Sequence, residues 1–128
     1  MKTIYLSFIA LFLVSCSLEH DPEPTCTQYL PTAIKTVVEK PNADAAGYLF
    51  DIGFEVLDSC GDFGSFEETI EGNVITIKLI AKYVGCNCQP GEQSRTTVYA
   101  FTQTTPGTYT LKFKATDDFY ITKTVDIE

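Results

Sequence analysis

Five cysteines in 128 residues are the side chains with the most chemistry open to them. Four of these, Cys26, Cys60, Cys86 and Cys88, lie beyond an apolar N-terminal run. Such a set has three uses: two disulfides, a four-thiolate zinc site, or a redox dithiol. Spacing separates them. A redox pair wants Cys-X-X-Cys near a helix N-terminus, and zinc ligands usually stand two to four residues apart. Here the close pair is Cys86-Asn87-Cys88, with one residue between. Two disulfides are therefore expected, and no metal or other cofactor is called for. Cys86 and Cys88 are too close to bridge each other well. One should pair with Cys26 and the other with Cys60, and the sequence leaves open which takes which.

Other reactive groups are sparse. His20 is the only histidine, and it stands among Glu19, Asp21, Pro22, Glu23 and Pro24. A serine or cysteine hydrolase needs its base held beside the nucleophile, and a histidine in such a segment is not held. Asp58, Asp62, Glu67 and Glu68 form a loose acidic cluster, and Asp117-Asp118 a pair. Carboxylates can cleave glycosides or ligate calcium. Neither spacing matches such a site, and solvated turns account for both. There is no glycine-rich phosphate cradle. The chain reads as a non-enzyme with no catalytic residue. Its net charge of −8, without any basic run, argues against nucleic acid as a partner.

The first sixteen residues have their own logic. Lys2 precedes an apolar run over residues 4–14, broken only by Ser7, and Leu13-Val14-Ser15-Cys16 closes it. A run of about 11 residues is too short to span a bilayer, which takes about 20. A charged start, a short apolar stretch and small residues at its end make a signal peptide. The last four residues resemble the lipobox of bacterial lipoproteins. That resemblance implies cleavage before Cys16 and acylation of Cys16, so the membrane is a partner through the lipid. Each buried methylene contributes about 0.8 kcal/mol, and two or more chains give durable anchoring. Residue 17 is Ser where an Asp would imply inner-membrane retention, so the resemblance implies the outer membrane. Glu19 and Asp21 resemble the export signal of surface lipoproteins; periplasmic side or cell surface stays undecided. Either compartment is oxidising, in keeping with disulfides.

Residues 16–30 read as the lipidated cysteine and an acidic, proline-containing tether, and residues 31–128 as one domain. Within it, apolar residues alternate with polar ones. Ile75, Ile77, Leu79, Ala81 and Tyr83 share one face; Tyr109, Leu111, Phe113 and Ala115 share another. Tyr48, Phe50, Ile52, Phe54 and Val56 form a third row. Phe119, Ile121, Val125 and Ile127 form a fourth, with Lys123 discordant. Period-two alternation means half-buried strands. Strands are predicted over 32–39, 47–57, 65–71, 74–84, 95–102, 108–115 and 119–127. Turns fall at Pro41-Asn42-Ala43-Asp44, Gly72-Asn73, Pro106-Gly107 and Asp117-Asp118.

The stretch Thr105-Pro106-Gly107-Thr108-Tyr109 leading into an alternating strand resembles the late strand and tyrosine corner of immunoglobulin-like domains. The resemblance implies an all-β, seven-stranded antiparallel immunoglobulin-like sandwich and nothing functional. Counting strands up and down brings all four cysteines to one end. Loops 58–66 and 85–94 then form the expected binding face, with Asp62, Phe63, Phe66, Asn87 and Gln89 as its candidates. The opposite-end turns are the competing face. The expected function is a non-catalytic binding or structural module with a protein or glycan partner. Alternatives are an accessory subunit or inhibitor of an envelope enzyme or complex working through the cysteine-end loops, and, less favoured, a four-cysteine metal site or an enzyme.

Overall fold

The computed structural model describes residues 25–41 and 47–128. Cys16, the lipobox, the tether through residue 24 and positions 42–46 of the first turn lie outside the described residues. Among the described residues every regular element is a strand. They are β1 (Thr27–Thr32), β2 (Ile34–Lys40), β3 (Tyr48–Asp58), β4 (Gly61–Glu71), β5 (Val74–Val84), β6 (Pro90–Phe101), β7 (Gly107–Lys114) and β8 (Tyr120–Ile127).

The alternation builds the core. Ile75, Ile77, Leu79, Ala81 and Tyr83 of β5 are buried, as are Phe50, Ile52, Phe54 and Val56 of β3 and Tyr109, Leu111 and Phe113 of β7. These rows face one another across a five-stranded and a three-stranded sheet. Burying one such side chain contributes about 1.5–3 kcal/mol. Phe113 ties the layers together, its ring 5.6 Å from Phe50 and 5.4 Å from Tyr99. No polar or charged residue is buried among the described residues.

β5 is the axis of the larger sheet. β4 pairs with it along its whole length, from Gly61 opposite Tyr83 to Glu71 opposite Val74. Its other edge is shared: β7 pairs in parallel over Val74–Ile77, and β1 pairs antiparallel over Leu79–Val84. β8 closes on β7, and β2-β3-β6 make the smaller sheet.

The expected all-β sandwich is present, with two changes. There are eight strands, not seven, and residues 27–30, read as tether, belong to the sheet. Only Leu30 on β1 is both apolar and inward, opposite buried Ala81, so composition hides the strand. Pro31 is tolerated because proline sits on sheet edges. β1 and β2 run in the same direction with only Ala33 between them. Together they are one strand that changes sheets, a recognised way to turn a sandwich corner. The Thr32 hydroxyl pins the crossing by donating to the Glu55 carbonyl oxygen at 2.8 Å. The second change is that β7 lies parallel to β5. The chain crosses to the smaller sheet as β6 and returns, so β7 arrives running the same way as β5.

The Gly72-Asn73 hairpin forms as expected, with Gly72 at φ +60° in the first turn position, where glycine adds no side-chain clash. Asn73 also braces β7: its carbonyl accepts from the Thr110 amide at 2.8 Å and its Nδ2 donates to the Thr108 carbonyl at 3.1 Å. The Tyr109 hydroxyl donates to the Thr105 carbonyl at 2.8 Å, the backward bond of a tyrosine corner. Lys123, discordant in sequence, stands opposite buried Leu111 on edge strand β8. An inward charge on an edge strand discourages pairing with another chain.

Candidate functional site

The cysteine end is built from five strand termini. β3 ends at Asp58 and β4 begins at Gly61, leaving only Ser59 and Cys60 to turn. The Asp58 carboxylate accepts from the Cys60 amide at 2.9 Å, an Asx turn that sets the bend. β5 ends at Val84 and β6 begins at Pro90, leaving residues 85–89 as the connection. Cys26 sits at the head of β1, and its carbonyl accepts from the Gly85 amide at 2.9 Å.

All four cysteines meet here. Cys26 bonds Cys86 at 1.93 Å, and Cys60 bonds Cys88 at 2.04 Å. Both close cysteines pair outward, as expected, and the choice left open by the sequence is settled. The 85–89 connection is thus fastened to the head of β1 by one bridge and to the β3–β4 turn by the other. Two hydrogen bonds duplicate the second link. Ser59 N donates to the Gln89 carbonyl at 3.0 Å, and Gln89 N donates to the Ser59 hydroxyl at 2.9 Å. Behind the turn, the Leu57 amide donates to the Tyr83 hydroxyl at 3.0 Å.

Gly85 makes this geometry possible. Its φ is +131°, which residues with a side chain rarely adopt, and a Cβ there would stand 2.9 Å from the Cys60 sulfur. Gly85→Ala is expected to cost about 2 kcal/mol through strain and overpacking. It should also leave a fraction of Cys60 and Cys88 unpaired. Urea unfolding together with alkylation of unreduced protein would read both effects; wild-type stability with no free thiol would refute the assignment.

The candidate binding residues divide. Asn87 and Gln89 lie in the connection and are exposed. Asp62, Phe63 and Phe66 do not lie in a loop, because β4 begins at Gly61. Asp62 is exposed, and its carboxylate accepts from the Phe63 amide at 2.7 Å. Phe63 and Phe66 are half-buried and cover the core, their rings 4.8 Å apart, with Phe66 edge-on to Tyr99 at 5.2 Å. Likewise β6 begins at Pro90 rather than 95, with Gln93 paired to Val56. The two expected loops therefore shrink to the 59–60 turn and the 85–89 connection. Alternation in 61–64 and 90–94 is too polar to announce a strand; pairing with β5 and β3 imposes it.

The sequence reading also passed over the residues that close this flank. The Arg95 Nε donates to the Gly61 carbonyl at 3.1 Å, and its Nη2 donates to Gln93 Oε1 at 2.8 Å. Tyr99 donates to the Glu68 carboxylate at 2.5 Å. Burial first, and then Glu68, holds the Tyr99 hydroxyl protonated far above the usual tyrosine range. Arginine and tyrosine at inward strand positions were the available signal.

Asp58, Cys60 and Cys88 are the group whose atoms lie close enough to hold a metal among the described residues. Zinc takes thiolates, and here the two sulfurs are bonded to each other. Asp117 and Asp118 sit in the β7–β8 turn, where Asp117 pairs with Lys114 at 3.2 Å.

The geometry defines a disulfide-braced β-sandwich in which the head of β1, the β3–β4 turn and the β5–β6 connection are locked together at one end. Residues 50–127, more than half of the chain, match the model of the ORF11 beta-sandwich domain, and the chain belongs to that family. No curated protein and no solved structure matches it. The match runs from β3 to β8. It takes in the Cys60–Cys88 bridge, while β1, β2 and Cys26 precede it.

Proposed function

We propose that this chain is a lipid-anchored, non-catalytic module of the bacterial outer membrane. It is held by acylated Cys16 and acts as a binding or structural domain through its folded part. The Cys26–Cys86 bridge is the observation that supports the reading most. It fastens the chain to the end of β5 just where the N-terminal segment enters the sheet. β1 contributes six residues, mostly exposed. Tension on an anchored N-terminus would peel such a strand, whereas the bridge passes the load directly to central β5. A clamp at that position suits a domain pulled from its N-terminus. The disulfides also fit an oxidising compartment, and the lipobox at Leu13-Val14-Ser15-Cys16 supplies the anchor.

Growth of expressing bacteria with a labelled fatty acid, followed by fractionation, tests this reading. The wild-type chain should carry label and sediment with outer membranes. Cys16→Ala should lose the label entirely and accumulate as the unprocessed precursor. Normal labelling of that variant would refute acylation at Cys16.

A further inference from the structure

The shared edge of β5 leaves a gap. β1 approaches from the cysteine end and its last pair is Thr32 with Leu79. β7 approaches from the other end and its last pair is Phe113 with Ile77. Lys78 faces neither strand. Both strands end at that point: β1 crosses to the smaller sheet at Ala33, and β7 turns back through residues 115–119 into β8. The result is a cleft of about 270 Å³.

Its lining is chemically mixed. Lys78 and Lys114 stand on its wall, brought to the same level by the parallel register of β5 and β7. Their side chains are 36% and 32% exposed, so each ammonium group meets water at the end of a flexible stem. Each has an acidic neighbour, Glu67 at 3.0 Å and Asp117 at 3.2 Å, whose own side chains are 60% and 95% exposed. Ion pairs so open to water contribute about 0–1 kcal/mol, so a ligand anion can displace them. Pro31, Ala33 and Ala115 add a small apolar surface.

We propose that this cleft binds a carboxylate-bearing sugar unit, with Lys78 and Lys114 taking the carboxylate and the small apolar surface meeting the ring. The volume lies just below the roughly 300–1,000 Å³ of drug-sized sites and suits a single ring. Inorganic phosphate would use the lysines and leave the apolar wall uncovered; a neutral sugar would do the reverse. Charge-assisted bonds to two ammonium groups are the stronger part of the recognition. Asp117 lines the same cleft and opposes an anion there. The site is independent of the lipid anchor and lies away from the disulfides.

Titration of the full chain in detergent with glucuronate, followed by amide NMR, tests the proposal. Saturable shifts should fall on residues 32, 33, 78 and 114–117. Lys78→Gln or Lys114→Gln should weaken affinity about tenfold, and Asp117→Asn should strengthen it. The last change is at an exposed turn, so its outcome does not depend on the lysine variants folding. Shifts that fail to saturate, or that fall elsewhere, overturn the proposal. Equal affinity for glucose removes the charge from it, and phosphate binding as tightly as glucuronate removes the sugar. Weaker binding by Asp117→Asn also overturns it.

Discussion

Replacing Cys60 and Cys88 together by alanine lowers the unfolding free energy by about 3 kcal/mol and the melting temperature by roughly 10–20 °C. The loop they close spans 28 residues. Chain entropy alone assigns such a loop about 3.6 kcal/mol. The bridge also joins the β3–β4 turn to the β5–β6 connection, and each of these links one sheet to the other. Breaking it loosens the whole end, so loss should appear in global unfolding.

The same entropy argument favours Cys26–Cys86, whose 60-residue separation gives about 4.3 kcal/mol. Topology reverses the order. Without that bridge only β1 is released, a short strand on the outer part of a shared edge. It can fray while the remaining seven strands stay packed, and local opening of this kind takes little from the global transition. The Cys26→Ala, Cys86→Ala variant should therefore lose less stability than the other pair. It should expose the β1 amides to hydrogen exchange. Tyrosine fluorescence follows unfolding, as the chain has no tryptophan. If removing Cys26–Cys86 costs as much as removing Cys60–Cys88, β1 melts with the rest and the argument fails.

Phe113→Ala has the other large effect, a loss of about 3–5 kcal/mol. Phe113 has no exposed surface, and its ring meets Phe50 and Tyr99 of the opposing sheet. Alanine leaves a void between layers that neither β3 nor β6 can fill without breaking its own pairing. Phe113→Leu keeps most of the volume and should cost about 1.5 kcal/mol or less. Denaturant curves of the two variants would show midpoints well apart with similar slopes. A loss under about 1 kcal/mol for alanine would mean that the sheets close over the gap.

Some of this architecture is legible along the chain because side chains alternate with period two. Ile75 to Tyr83, Phe50 to Val56 and Tyr109 to Phe113 announce their buried faces directly. Gly72-Asn73 announces its hairpin, since a tight turn needs a residue free to take positive φ. Convergence of the four cysteines also follows from the sequence. It survives the miscount because β1 and β2 run in one direction and act as a single strand in an up-and-down tally. Periodicity records which face of a strand is buried. It does not record which strand lies beside it. The parallel pairing of β5 with β7, the change of sheets at Ala33 and the early starts of β4 and β6 are decided by neighbours distant in sequence. The same holds for Cys26 choosing Cys86, because β1 lies along β5 and begins beside Gly85. It holds too for the cleft at Lys78, which exists only where two strands from opposite ends stop short of each other.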